Sequence, residues 1–114
     1  MGMWDVQAWD NDTAADWFGT LMDQTNLRAK WFDTMSAAAA KDELYDFEEA
    51  RAGLWLFAQL GRVYVWPPEN YDEDIALTLN VADKILANLD LQEEVPEFLE
   101  LVRQDRELVS SRQR

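Results

Sequence analysis

A chain of 114 residues with 48% apolar composition is long enough to bury a core of its own, and a single domain spanning 1–114 is expected. It contains no cysteine and no histidine, which excludes disulfides, thiolate and imidazole metal sites, and Ser-His or Cys-His nucleophilic catalysis. The net charge of −13 argues against nucleic acid or an anionic membrane as partner, and no apolar run reaches the roughly 18 residues that a membrane-spanning helix needs.

The opening Met1-Gly2-Met3-Trp4-Asp5 is acidic and lacks the basic and apolar regions of a signal peptide; Val6 stands where myristoylation needs Ser or Thr. A cytoplasmic protein is expected. Residues 1–11 read as an extended N-terminal arm, tied down by Trp4 and Trp9. Helix one is predicted from Asp12, with Asp10, Asn11, Asp12 and Thr13 all able to cap it. Thr13-x-x-Asp16 resembles a capping box. Ala14, Trp17, Phe18, Leu21 and Met22 recur at helical spacing, so Trp17 is expected to point into the core.

A second helix follows Thr25 or Asn26, with Leu27, Trp31, Thr34, Met35 and Ala38 on one face and a thin alanine run, Ala37–Ala40, that lets a neighbour approach. Helix three is predicted over Asp42–Leu60. Its second half, Ala52–Leu60, is apolar nearly all round, which marks a central helix, and Gly61 is its stop signal. Val63-Tyr64-Val65-Trp66-Pro67-Pro68 cannot be helical before its prolines and reads as the one substantial loop. Helix four begins at Tyr71 or Asp72. Its stripe of Ile75, Leu79, Ala82, Leu86 and Leu89 is widened by Leu77, Val81 and Ile85. Helix five opens with Pro96 and carries Phe98, Leu101, Val102, Leu108 and Val109; residues 110–114 read as a frayed tail. Short connections favour antiparallel neighbours, so the fold class is all-α, a compact bundle of four to five helices with one Pro-Pro loop.

Three of the six tryptophans fall within the first seventeen residues, interleaved with carboxylates. Trp4 and the run Trp9-Asp10-Asn11-Asp12-Thr13-Ala14-Ala15-Asp16-Trp17 resemble the N-terminal pattern of a family of small, mostly bacterial proteins known as domain of unknown function 4259. Trp9 takes the place of that family's aromatic residue, while Asp5-Val6-Gln7-Ala8 stands where the family carries glycines. The resemblance implies an all-helical fold and kinship. It implies no activity.

Four groups merit weighing as sites. Asp12 and Asp16 share a helix face and present two carboxylates to a hard cation, but Ala14 and Ala15 break the calcium-loop pattern; capping is the favoured role for Asp10–Asp16. Glu43, Asp46 and Glu49 have the Glu-x-x-Asp spacing of all-α magnesium-dependent nucleotide pyrophosphohydrolases. Asp83 stands alone opposite them and Asp72–Asp74 occupy a first turn, so a solvated face is favoured. Trp55, Tyr64, Trp66 and Tyr71 either line a pocket beside the Pro-Pro loop or close one end of the core. Arg103 and Arg106 either bind an anion or pair with helix four. No cofactor and no metal are expected.

The leading functional expectation is a non-enzymatic interaction or regulatory protein, of the inhibitor or immunity kind, that docks a basic protein partner. A carboxylate-only magnesium enzyme is the second reading. A homodimer that uses the helix-four stripe as its interface is the third.

Overall fold

The computed structural model describes residues 8, 9, 11–44 and 46–113; Trp4 and Asp10 of the N-terminal motif lie outside them. The described residues form α1 (Asp12–Gln24), α2 (Leu27–Ala39), α3 (Glu48–Leu60), α4 (Tyr71–Leu86), α5 (Leu89–Glu94) and α6 (Pro96–Ser110), with a 3-10 turn at Pro68–Asn70. No strand occurs among them. The all-α bundle expected from the periodicity is what the chain forms, with one helix more than the expectation. The addition is the six-residue α5, which opens where the Asn88 side chain accepts from the Leu91 N–H at 3.1 Å. It continues the helix-four pattern around a corner, so its apolar residues looked like more of α4.

The bundle centres on α4, which packs against α2, α3 and α6. Ile75, Leu79, Val81, Ala82 and Ile85 of its stripe are buried within this one chain, and only Leu89, now on α5, is left 71% exposed. Those stripe residues serve as core within the single chain. The central place expected for α3 also goes to α4. Leu54, Phe57 and Ala58 of α3 are buried, but Trp55 is 53% exposed on its outward face. The start of α3 lies later than predicted because Leu44 is drawn into the core, where its carbonyl accepts from Asn88. On α6 the buried side is Leu99, Val102 and Val109, whereas Leu101 and Leu108 are 53% and 39% exposed. Those two stand about 100° round the helix from Val102 and Val109.

Three large rings knit α2, α3 and the loop after it. Trp31 stacks on Phe57 at 5.2 Å, and Trp66 meets both edge-on at 5.0 and 4.9 Å. Each buried indole N–H finds an acceptor: Trp31 donates to the Gly53 carbonyl at 3.0 Å and Trp66 to Asp74 at 2.7 Å. Gly53 is needed for this closeness, since a Cβ there would lie 2.6 Å from the Met35 sulfur. Gly61 ends α3 as expected, although its φ of −77° is open to any residue. The constraint is steric, because a Cβ would meet the Phe57 ring and carbonyl at 2.6 Å.

The last turn of α3 is closed by Arg112, whose guanidinium donates to the carbonyls of Phe57, Ala58 and Gly61 at 3.3, 2.7 and 3.0 Å. Sequence alone marked this arginine as part of a tail. Orphan carbonyls at a helix end and a five-donor side chain make a strong match that periodicity cannot reveal. No helix among the described residues is long and apolar enough to cross a membrane.

α1 is the least embedded helix. Asn11 is its N-cap, accepting from the Ala14 N–H at 2.8 Å, so the Thr13–Asp16 capping box is not the one used. Met22 is its one buried residue. Trp17 is 60% exposed and packs edge-on against Phe18 at 5.2 Å, contrary to its expected place in the core. The helix touches the bundle through a narrow edge, and position 17 is turned away from it. Trp9 is half-buried, with the Arg62 guanidinium 4.3 Å above its ring.

Candidate functional site

The loop between α3 and α4 is shaped by one tight turn. The Arg62 carbonyl accepts from the N–H groups of both Val65 and Trp66, at 3.1 and 3.0 Å. Inside the turn Tyr64 has φ 71°, a left-handed conformation that side chains with a Cβ disfavour by about 1–2 kcal/mol. The result is a division of labour along five residues: Val65 and Trp66 go inward and Tyr64 is left 58% exposed. Pro67 then runs extended and Pro68 opens the 3-10 turn that delivers the chain to α4.

Across from this loop stands α1, and between them runs a groove of about 670 Å³. Asp16, Gly19, Met22 and Asp23 form one wall. Tyr64, Val65, Pro67, Pro68 and Glu69 form the other, with Trp66 and Tyr71 at its base. Of the four aromatic residues weighed from sequence, Tyr64, Trp66 and Tyr71 are brought together here, and Trp55 is not. Both alternatives weighed from sequence are realised in part: Trp66 and Tyr71 are core residues, 1% and 3% exposed, and the same residues line the groove. The charged residues lining it are Asp16, Asp23 and Glu69, all exposed, with no lysine or arginine among them.

Beneath the groove lies a charged cluster that sequence reading missed. Asp74, fully buried, accepts from Arg28 Nε at 3.0 Å and Nη2 at 2.8 Å, and from Trp66 Nε1 at 2.7 Å. The hydrogen bond to Asp74 is the main reason that the Arg28 pKa is raised above its ordinary value. Arg28 also covers the Phe32 ring at 4.3 Å. Asp74 looked like one more first-turn carboxylate beside Asp72 and Glu73, which are indeed exposed. The only sequence signal for its burial was its place three residues behind Tyr71 and one ahead of Ile75, on the core side of α4.

The other sequence candidates stay apart. Asp12 and Asp16 are both exposed on α1, and only Asp16 reaches the groove. Asp46 and Glu49 are exposed; Glu43 borders a second cavity, of about 340 Å³, with Asp42, Lys84 and Asp90. Lys84 fills part of that cavity, donating to the Ala39 carbonyl at 2.8 Å and to the Lys41 carbonyl. Among the described residues no group of three or more carboxylates is placed to hold a metal ion. Arg106 pairs with Asp83 on α4 at 2.6 Å, which raises the Arg106 pKa, and Arg103 reaches Glu100 within its own helix at 3.4 Å.

These pairings give the surface a consistent sign. Arg28, Arg51, Arg62, Lys84, Arg106 and Arg112 are all at least partly buried in intramolecular contacts: with Asp74, Asp105, Trp9, two carbonyls, Asp83 and three carbonyls respectively. Among the described residues the exposed cations are Lys30, Lys41 and Arg103, whereas every described carboxylate except Asp74 and Asp105 is exposed. The outward face is thus more acidic than composition alone implies.

The family model described as domain of unknown function (DUF4259) matches residues 2–110, nearly the whole chain, and the chain belongs to that family. No curated protein and no solved structure matches it.

Proposed function

We propose that this member of the DUF4259 family is a non-enzymatic interaction protein, of the inhibitor or immunity kind, that docks a basic protein partner. The observation that supports the reading is the asymmetry of exposure: cations are drawn into the fold while carboxylates are left outside. A surface of one sign accelerates encounter with a partner of the other and repels competitors of its own. A cytoplasmic location belongs to the same proposal and suits a chain without cysteine. No clustering of carboxylates among the described residues favours the magnesium-enzyme alternative.

Affinity capture on the immobilised protein at about 50 mM salt, with identification by mass spectrometry, tests it. The expected outcome is enrichment of proteins of high isoelectric point, released when salt is raised to about 500 mM, where screening reaches within a few ångströms. Capture of no basic protein, or of partners indifferent to salt, ends the reading.

A further inference from the structure

The acidic surface is broad, but one place on it is also concave and apolar. We infer that the groove between α1 and the Tyr64–Glu69 segment is the seat of an extended, proline-containing basic peptide of the partner. This inference rests on the proposed interaction function and makes it specific. The groove has an apolar floor of Trp66 and Tyr71 between walls that carry Met22, Val65 and the two prolines, and a rim on which each charge is a carboxylate.

Two features make the groove at a cost to the fold. Gly19 sits inside a thirteen-residue helix, where glycine is the weakest ordinary helix former, yet a Cβ added there would meet nothing within 4 Å. Among the described residues no packing calls for glycine at that position, and what its missing side chain leaves is space along the groove wall. Tyr64, at the groove mouth, is held in a left-handed conformation and stays exposed. Departures from local preference that converge on one concavity are characteristic of binding sites.

The spacing of the rim selects the peptide. Asp16 and Asp23 are seven residues apart on α1, about 10.5 Å along the axis. A polyproline II segment places residues i and i+3 on one face about 9 Å apart. Arginines at every third position therefore reach both carboxylates while the intervening apolar residues lie on Pro67 and Pro68. Such a segment is already extended in the free state, so it loses little conformational freedom on docking.

The probe is a fluorescein-labelled (Arg-Pro-Leu)3 peptide, titrated with the intact protein and read by anisotropy at about 50 mM salt. The expected result is saturable binding, weakened at least about tenfold by Gly19→Trp, which fills the groove, and by the pair Asp16→Lys and Asp23→Lys. Gly19→Ala should bind like the parent. Circular dichroism of Gly19→Trp must match the parent; if that variant does not fold, the charge-reversed pair carries the test. (Arg-Pro-Ser)3 is expected to bind at least about tenfold more weakly than (Arg-Pro-Leu)3, because its serines leave the floor uncovered. If the two cationic peptides bind alike and neither variant matters, the groove inference fails while an acidic docking surface stands. If neither peptide binds, the groove inference fails, and the acidic docking surface stands or falls by the capture experiment. If sedimentation shows that Gly19→Trp converts a dimer to a monomer, a second copy of the chain occupies the groove and the peptide inference is overturned.

Discussion

Asp74 accepts hydrogen bonds from two arginine nitrogens and an indole in a site closed to solvent, and each partner depends on the others. Removing its charge leaves a half-buried guanidinium without its counter-ion and an indole N–H with a weaker acceptor. Asp74→Asn is therefore expected to destabilise the fold by about 3 kcal/mol in urea unfolding, whereas Glu73→Gln, exposed in the same turn, should change stability by less than about 0.5 kcal/mol. Trp9 belongs at the other end of the scale. If it were fully buried, its truncation would cost about 3 kcal/mol or more. It is half-buried under Arg62, so Trp9→Ala is expected to cost about half of that, with much of the loss reproduced by Arg62→Ala because the two side chains form one contact. Neither value was readable from the residue's type. Aspartate and tryptophan both lie near the middle of what a first turn or an arm tolerates, and their burial is decided by segments distant in sequence.

Two glycines inside helices carry opposite consequences. At Gly53 an added methyl would press against the Met35 sulfur in a filled core, and overpacking of this kind costs about 1–3 kcal/mol against a gain of about 1 from helix propensity. Gly53→Ala should lower the melting temperature. At Gly19 the same methyl enters open space, so Gly19→Ala should raise stability by up to about 1 kcal/mol, or several degrees for a domain of this size. Differential scanning calorimetry of the two variants checks the contrast in sign. The elements themselves were largely legible: the starts of α1, α2 and α4 and the Pro96 opening of α6 lie where the local pattern put them, and α3 stops at Gly61 as expected, although for a steric reason. The errors were of facing and length. Leu101 and Trp17 are apolar and correctly periodic, yet exposed, because a helix pattern states which residues share a side and not whether another helix is there to cover it.

For the whole molecule, the net charge of −13 sets a mutual repulsion that folding must overcome. The melting temperature is expected to rise as sodium chloride is increased from about 10 to 300 mM, as screening shortens. Magnesium at matched ionic strength should give no additional rise, since carboxylates among the described residues are not grouped to bind it. A further increase specific to magnesium would revive the enzyme reading. The sequence by itself determined the all-α class, most helix boundaries, the Pro-Pro loop and the acidic balance, because these depend on local backbone preferences and on composition. The tertiary structure alone decided which side chains face solvent: Asp74 inward, Trp17 outward, arginines turned to internal acceptors, and α1 set across from Tyr64–Glu69 to leave a groove. Those outcomes depend on pairings between segments tens of residues apart, which hydrophobic periodicity does not encode.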